Sequence, residues 1–128
     1  ALYHGTKFAV EGISESLSYE VAAFGGQVKI IEPGMIATDF AGRSFDFSHD
    51  VTLTEYQTIV DKINEVFPKM IKEASPISTV TSVIYEAATD GKRQLRYIAG
   101  KDAKLYIFLN RLLGYNFLYK MNKKFFNL

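Results

Sequence analysis

The chain has 128 residues, enough for one ordinary domain, and 48% of them are hydrophobic, enough to supply a core. Fifteen Lys and Arg against fourteen Asp and Glu leave a net charge of +1, which gives no sign of a nucleic-acid binder or of an enzyme for acidic substrates. There is no cysteine, so disulfides, thiolate metal sites and thiol nucleophiles are excluded together.

The first seven residues, ALYHGTK, set Tyr3 and Lys7 four positions apart. On a helix this places a phenol and an ammonium on one face, a turn apart, where both can reach one bound molecule. From Tyr3 to Phe24 the apolar positions Phe8, Ala9, Ile13, Leu17, Val21 and Phe24 recur every three or four residues, with Glu11, Glu15, Ser18 and Glu20 on other faces. The spacing predicts a long amphipathic helix stopped by Gly25-Gly26. The chain opens on Ala1, inside this helical pattern and without an N-cap signal, and is read as a fragment.

Val28 to Glu32 is a β-branched run closed by Pro33-Gly34 and predicts a short strand; helix, tight loop and strand in that order point to a parallel α/β sheet. Residues 35–51 show no period and are expected to form a long loop. Thr52 to Ala74 returns to helical spacing, with Thr52 or Thr54 as N-cap and a kink or split expected at Pro68. Ser75-Pro76 reads as an N-cap followed by the first helical residue of a helix to about Thr89, and Arg96 to Ala99 as a second strand. From 103 onward the chain is basic and aromatic, holding five Lys and Arg, no acid, and seven of the eighteen aromatics; the body before it carries −4. The expected organisation is therefore a body over 1–102, with a lid over about 35–74, and a helical tail over 103–128. No run approaches the roughly 18 apolar residues of a membrane span, so a soluble, cytoplasmic protein is expected.

The spacing of Tyr3 and Lys7 alone says little, because a phenol's ordinary pKa near 10 requires about 4 kcal/mol of help before it exchanges protons near pH 7. The residues downstream of the pair give it meaning. The stretch YHGTKFAVEGISESLSYEVAAFG, then VKIIEPGMIATDF, resembles the short-chain dehydrogenase/reductase family, whose members carry Tyr-x-x-x-Lys on a helix, then a strand ending in Pro-Gly, then a Thr a few residues on. Tyr3, Lys7, Pro33, Gly34 and Thr38 match that pattern, and EAATDGKRQLRYIAG is similar to the family's late helix and last strand. The resemblance covers residues 1 to about 103.

It implies the C-terminal portion of a doubly wound, Rossmann-like parallel sheet, without the N-terminal nucleotide-binding half. It implies Tyr3 as the general acid or base that interconverts a carbonyl and a secondary alcohol, with Lys7 lowering the Tyr3 pKa and holding the nicotinamide ribose. It further implies that NAD or NADP rests on Pro33 and Gly34, meets the Ile36 backbone and receives the Thr38 hydroxyl. The chain has no G-x-x-x-G-x-G turn, no Asn-Ala-Gly segment and no matching catalytic Ser, so alone it is expected to be inactive.

His4 and His49 read as bystanders, Asp39 as the cap of a turn, and no metal site is expected. Phe40, Phe45 and Phe47 read as the wall of an apolar substrate pocket. Three readings stand for the tail: packing on the body or on a symmetry partner in a homo-oligomer, peripheral membrane contact through Lys120, Lys123, Lys124, Phe125 and Phe126, or a disordered or lid-like end. A non-catalytic, interacting or membrane-associated relative is the alternative to an enzyme. The partners expected are a small carbonyl or alcohol substrate and no nucleic acid.

Overall fold

The computed structural model describes residues 1–41, 50 and 52–126. Helix α1 (Leu2–Ala22) leads to strand β1 (Ile30–Pro33), a 3-10 turn at Asp39–Ala41 and another at Thr54–Tyr56. Helices α2 (Gln57–Lys72) and α3 (Ile77–Thr89), strand β2 (Arg96–Ala99), and helices α4 (Lys101–Leu113) and α5 (Tyr115–Phe125) complete the order. The expected α/β architecture is present as a two-stranded parallel sheet among helices.

β1 and β2 pair in register from Ile30 opposite Arg96 to Pro33 opposite Ala99. Alternate residues of a strand face opposite ways. Arg96 reaches Glu11 and Glu15 of α1, while Tyr97 donates its phenolic hydrogen to Asp90 beyond α3, so each face of the sheet carries a helix. Among the described residues the buried hydrophobics are Val60, Val66, Ala87, Tyr97, Ala99 and Leu118.

Four local expectations change. α1 turns Glu11, Ser14, Glu15 and Ser18 partly inward and leaves Phe8, Ile13, Leu17 and Phe24 exposed, because its anchor is the guanidinium of Arg96 and not an apolar surface. α2 runs unbroken through Pro68. A proline in a helix removes one N–H donor, and the buried Val60 and Val66 hold the flanking turns in place. α2 also starts at Gln57, after the 3-10 turn, with neither Thr52 nor Thr54 as its cap. Ser75 does not cap α3: its backbone is engaged with the loop after β1, and Pro76 takes the N-cap position in an extended conformation.

Gly25, at φ 76°, turns the chain after α1 as its place after the periodic residues predicts, and the expected helical tail is two helices, α4 and α5, divided at Gly114, φ 77°. Phe45 and Phe47, with His49, lie outside the described residues.

The buried Tyr97 hydroxyl lies 2.7 Å from an Asp90 oxygen, and burial with that carboxylate pushes its pKa up to about 12. The same hydrogen bond, with the Lys92 backbone N–H, holds Asp90 below the usual carboxylate range. Tyr97 therefore stabilises the fold below its ordinary pKa of 10 and loses that contribution as pH rises through about 12. Asp90 contributes above the ordinary carboxylate value and loses its contribution as pH falls through its lowered one. Equilibrium unfolding against pH is expected to show both losses, and Tyr97→Phe should abolish the alkaline one and weaken the acid one.

Candidate active site

Tyr3 and Lys7 occupy the first two turns of α1, with the Lys7 ammonium 5.4 Å from the centre of the Tyr3 ring. Both are exposed, Tyr3 by 55%. The His4 ring meets Tyr3 edge-on at 6.0 Å, and the Phe40 ring lies 5.9 Å from Tyr3 at 43°. Phe40 belongs to the 3-10 turn two residues beyond Thr38, so the loop after β1 is brought to the phenol of α1. Among the described residues no hydrogen bond joins Tyr3 or Lys7 to Pro33–Thr38; the Phe40 ring is the link.

That loop is tied down at nearly every peptide. Gly34 N–H donates to the Ala99 carbonyl at 2.8 Å, continuing the ladder one step past the proline. Met35 N–H donates to the Asp102 carboxylate at 2.6 Å. The Met35 carbonyl accepts from Ser75 N–H and the Ser75 carbonyl from Ala37 N–H, which closes the neck of the segment carrying α2. Thr38 N–H turns back to the Ile36 carbonyl, and Phe40 N–H points to the Thr38 hydroxyl at 3.4 Å. Ile36 N–H is the exception: among the described residues it has no acceptor, although Ile36 is half-buried. An N–H left without a protein acceptor is open to a ligand or to water. A ligand carbonyl oxygen meeting the loop here would accept from it.

Arg96 is the residue that positions α1. Its guanidinium lies 2.7 Å from Glu11, 2.9 Å from Glu15 and 3.1 Å from Glu32 of β1. Among the described residues α1 buries no side chain, so these charged contacts supply much of its attachment. Burial, then the neighbouring Glu11 carboxylate, raises the pKa of Glu32, opposed by Arg96. Sequence periodicity could not identify Arg96, which lies 85 residues from Glu11; its one local signal is a charge at the start of an otherwise apolar strand.

A cleft of about 170 Å³ lined by Ser18, Gly26, Arg93 and Leu95 sits at the far end of α1, roughly 25 Å along the helix from Tyr3 at 1.5 Å per residue. The residues capable of acid–base chemistry lie at the other end. Among the described residues no group of three His, Cys, Asp or Glu is placed to hold a metal, and no helix is long and apolar enough to cross a membrane.

Comparison with known proteins finds oxidoreductases. An uncharacterized oxidoreductase of Schizosaccharomyces pombe is 42% identical over 99 residues, which are 77% of this chain and 41% of that protein. An NADPH-dependent 3-dehydrocapnine reductase of Ornithobacterium rhinotracheale is 29% identical over 127 residues, 95% of this chain and 44% of the reductase. Retinol dehydrogenase 7 of Mus musculus is 33% identical over 112 residues, 79% of this chain and 35% of that enzyme. The chain thus spans about two fifths of the length of the curated relatives it matches. No protein-family model and no solved structure matches it.

Exposed ion pairs contribute at most about 1 kcal/mol each, but Arg96 holds two on α1. Arg96→Gln is expected to speed hydrogen exchange along α1 while the β1–β2 amides keep their protection. Uniform loss of protection across both would contradict this role.

Proposed function

From the premise that this chain belongs to the short-chain dehydrogenase/reductase family, we propose that it forms the C-terminal half of a doubly wound dinucleotide-binding fold. In this reading it contributes the carbonyl-reducing side of an NAD- or NADP-dependent active site. A bound nicotinamide dinucleotide supplies the hydride in reduction and accepts it in oxidation. Tyr3 gives its phenolic proton to the carbonyl oxygen in reduction and takes the alcohol's proton in the reverse direction. Lys7, one turn away, favours the ionised phenol and holds the nicotinamide ribose. Pro33 and Gly34 form the floor beneath the ring, Ile36 N–H meets the carboxamide, and the Thr38 hydroxyl orients the carboxamide or the pyrophosphate. Ligands of open α/β sheets lie beyond the carboxyl ends of the strands, and Pro33–Thr38 follow the carboxyl end of β1.

The observation that supports this reading best is the meeting of Tyr3 with the loop after β1 through Phe40, in a loop whose Ile36 N–H has no acceptor among the described residues. Phe40 also serves as an apolar wall for the substrate, a carbonyl or secondary alcohol. The first strands and the phosphate-binding turn belong to the remainder of the protein, and the chain alone neither binds dinucleotide nor turns over substrate. The exposed apolar face of α1 packs on that remainder or on a second copy in a homo-oligomer. The tail packs on the body, with a peripheral membrane contact as the competing use of its lysines and aromatics.

In the intact protein, Tyr3→Phe is expected to lower turnover by about a hundred- to ten-thousand-fold, the usual worth of a general acid. Dinucleotide affinity should stay unchanged. Steady-state kinetics beside calorimetric titration measures both, and retained turnover would remove Tyr3 from the chemistry.

A further inference from the structure

Three features of the fold converge on Asp102, a residue outside the Tyr3–Lys7 and Pro33–Thr38 motifs. It lies in the first turn of α4, where an acidic side chain is favoured by the positive end of the helix. Its carboxylate accepts the Met35 N–H at 2.6 Å, across 67 residues of sequence. It also occupies the space beside two glycines. A Cβ on Gly34 would overlap both carboxylate oxygens, and one on Gly100 would lie 2.6 Å from one of them. Gly100 in addition has φ 109°, a conformation that disfavours any other residue. The absence of side chains at 34 and 100 is thus what admits the carboxylate between the end of β1 and the start of α4.

We propose that Asp102 is a positioning residue for the nicotinamide side of the site: it fixes the Gly34–Met35 peptide and so places the following peptide, which carries the Ile36 N–H, before its ligand. Two successive peptides are held: the one between Gly34 and Met35 by Asp102 at the Met35 N–H, and the one between Met35 and Ile36 by Ser75 at the Met35 carbonyl. The next N–H along the chain, that of Ile36, is the one without an acceptor among the described residues. Ser75 holds the peptide that carries this donor, and Asp102, by fixing the peptide before it, sets the position from which it leaves the strand. Asp102 is exposed, so its worth lies in the direction it imposes more than in burial. The neck of the α2 segment is closed by the bonds of Ser75 to Met35 and Ala37, which do not involve Asp102.

This inference rests on the dinucleotide-dependent reading of the site, and the test keeps the two separable. In the intact protein, dinucleotide affinity is measured by titration for the native sequence, Asp102→Asn, Asp102→Ala, Gly34→Ala and the Gly34→Ala/Asp102→Ala pair. Asp102→Ala is expected to weaken dinucleotide binding about ten-fold or more, the scale of a lost charge-assisted hydrogen bond. The substrate KM at saturating dinucleotide should stay unchanged. Asp102→Asn, whose amide oxygen still accepts from Met35, is expected to recover most of the affinity. Gly34→Ala should be rescued in part by Asp102→Ala, because the clash is with the carboxylate itself. Unchanged affinity in Asp102→Ala, or equal losses in the Ala and Asn variants, would overturn the positioning role while leaving the general reading intact. Failure of the native protein to bind dinucleotide would overturn that reading and this inference with it.

Discussion

The site depends on how the parallel ladder between β1 and β2 ends. Pro33 pairs with Ala99 in the last register position, and Gly34 makes one further bond to the Ala99 carbonyl. Beyond that point the chain leaves the sheet under three separate restraints, from Ala99, Asp102 and Ser75. A backbone held in this way can present one N–H to a ligand without first ordering a loop, which lowers the entropic cost of binding. On the other side the same sheet fixes α1 through Arg96 of β2, so one pair of strands sets the position of both the phenol and the loop that faces it.

Much of this was legible in the sequence because the decisive signals are local. Tyr3 and Lys7 are one helical turn apart, Pro33-Gly34 ends a strand, and Gly25 follows the end of α1, each for reasons contained within a few residues. What escaped was non-local. The inward face of α1 is set by Arg96, so its glutamates turn toward the sheet although the apolar pattern suggests the opposite. Ser75 has the chemistry of a helix cap, yet its backbone completes a bridge to Ile36, a partner that spacing cannot show. Asp102 left a faint trace, an acid two residues after a glycine at the end of a strand; its meaning requires Gly34 to lie against it.

The distribution of apolar surface bears on the size of the working unit. Leu2, Phe8, Val10, Ile13 and Phe24 of the α1 region are all more than 60% exposed, as is Leu112 on α4. Exposed apolar residues in such number ordinarily pack against protein or lipid. The chain spans about two fifths of its relatives' length, and the proposed function gives these residues a use in joining the remaining strands and a partner subunit. Catalysis in that view is a property of the assembled fold: this chain holds the proton-transfer group and the nicotinamide floor, and the phosphate cradle lies elsewhere.

If the loop after β1 is the floor of a nicotinamide site facing Tyr3, its own amides must sense the ligand. They can be followed in the intact protein by nuclear magnetic resonance while a nicotinamide dinucleotide is added. The Ile36 amide is expected to shift among the most, together with Gly34, Thr38 and the ring signals of Tyr3. Saturable binding that leaves Ile36 and Tyr3 unmoved would contradict that placement of the site.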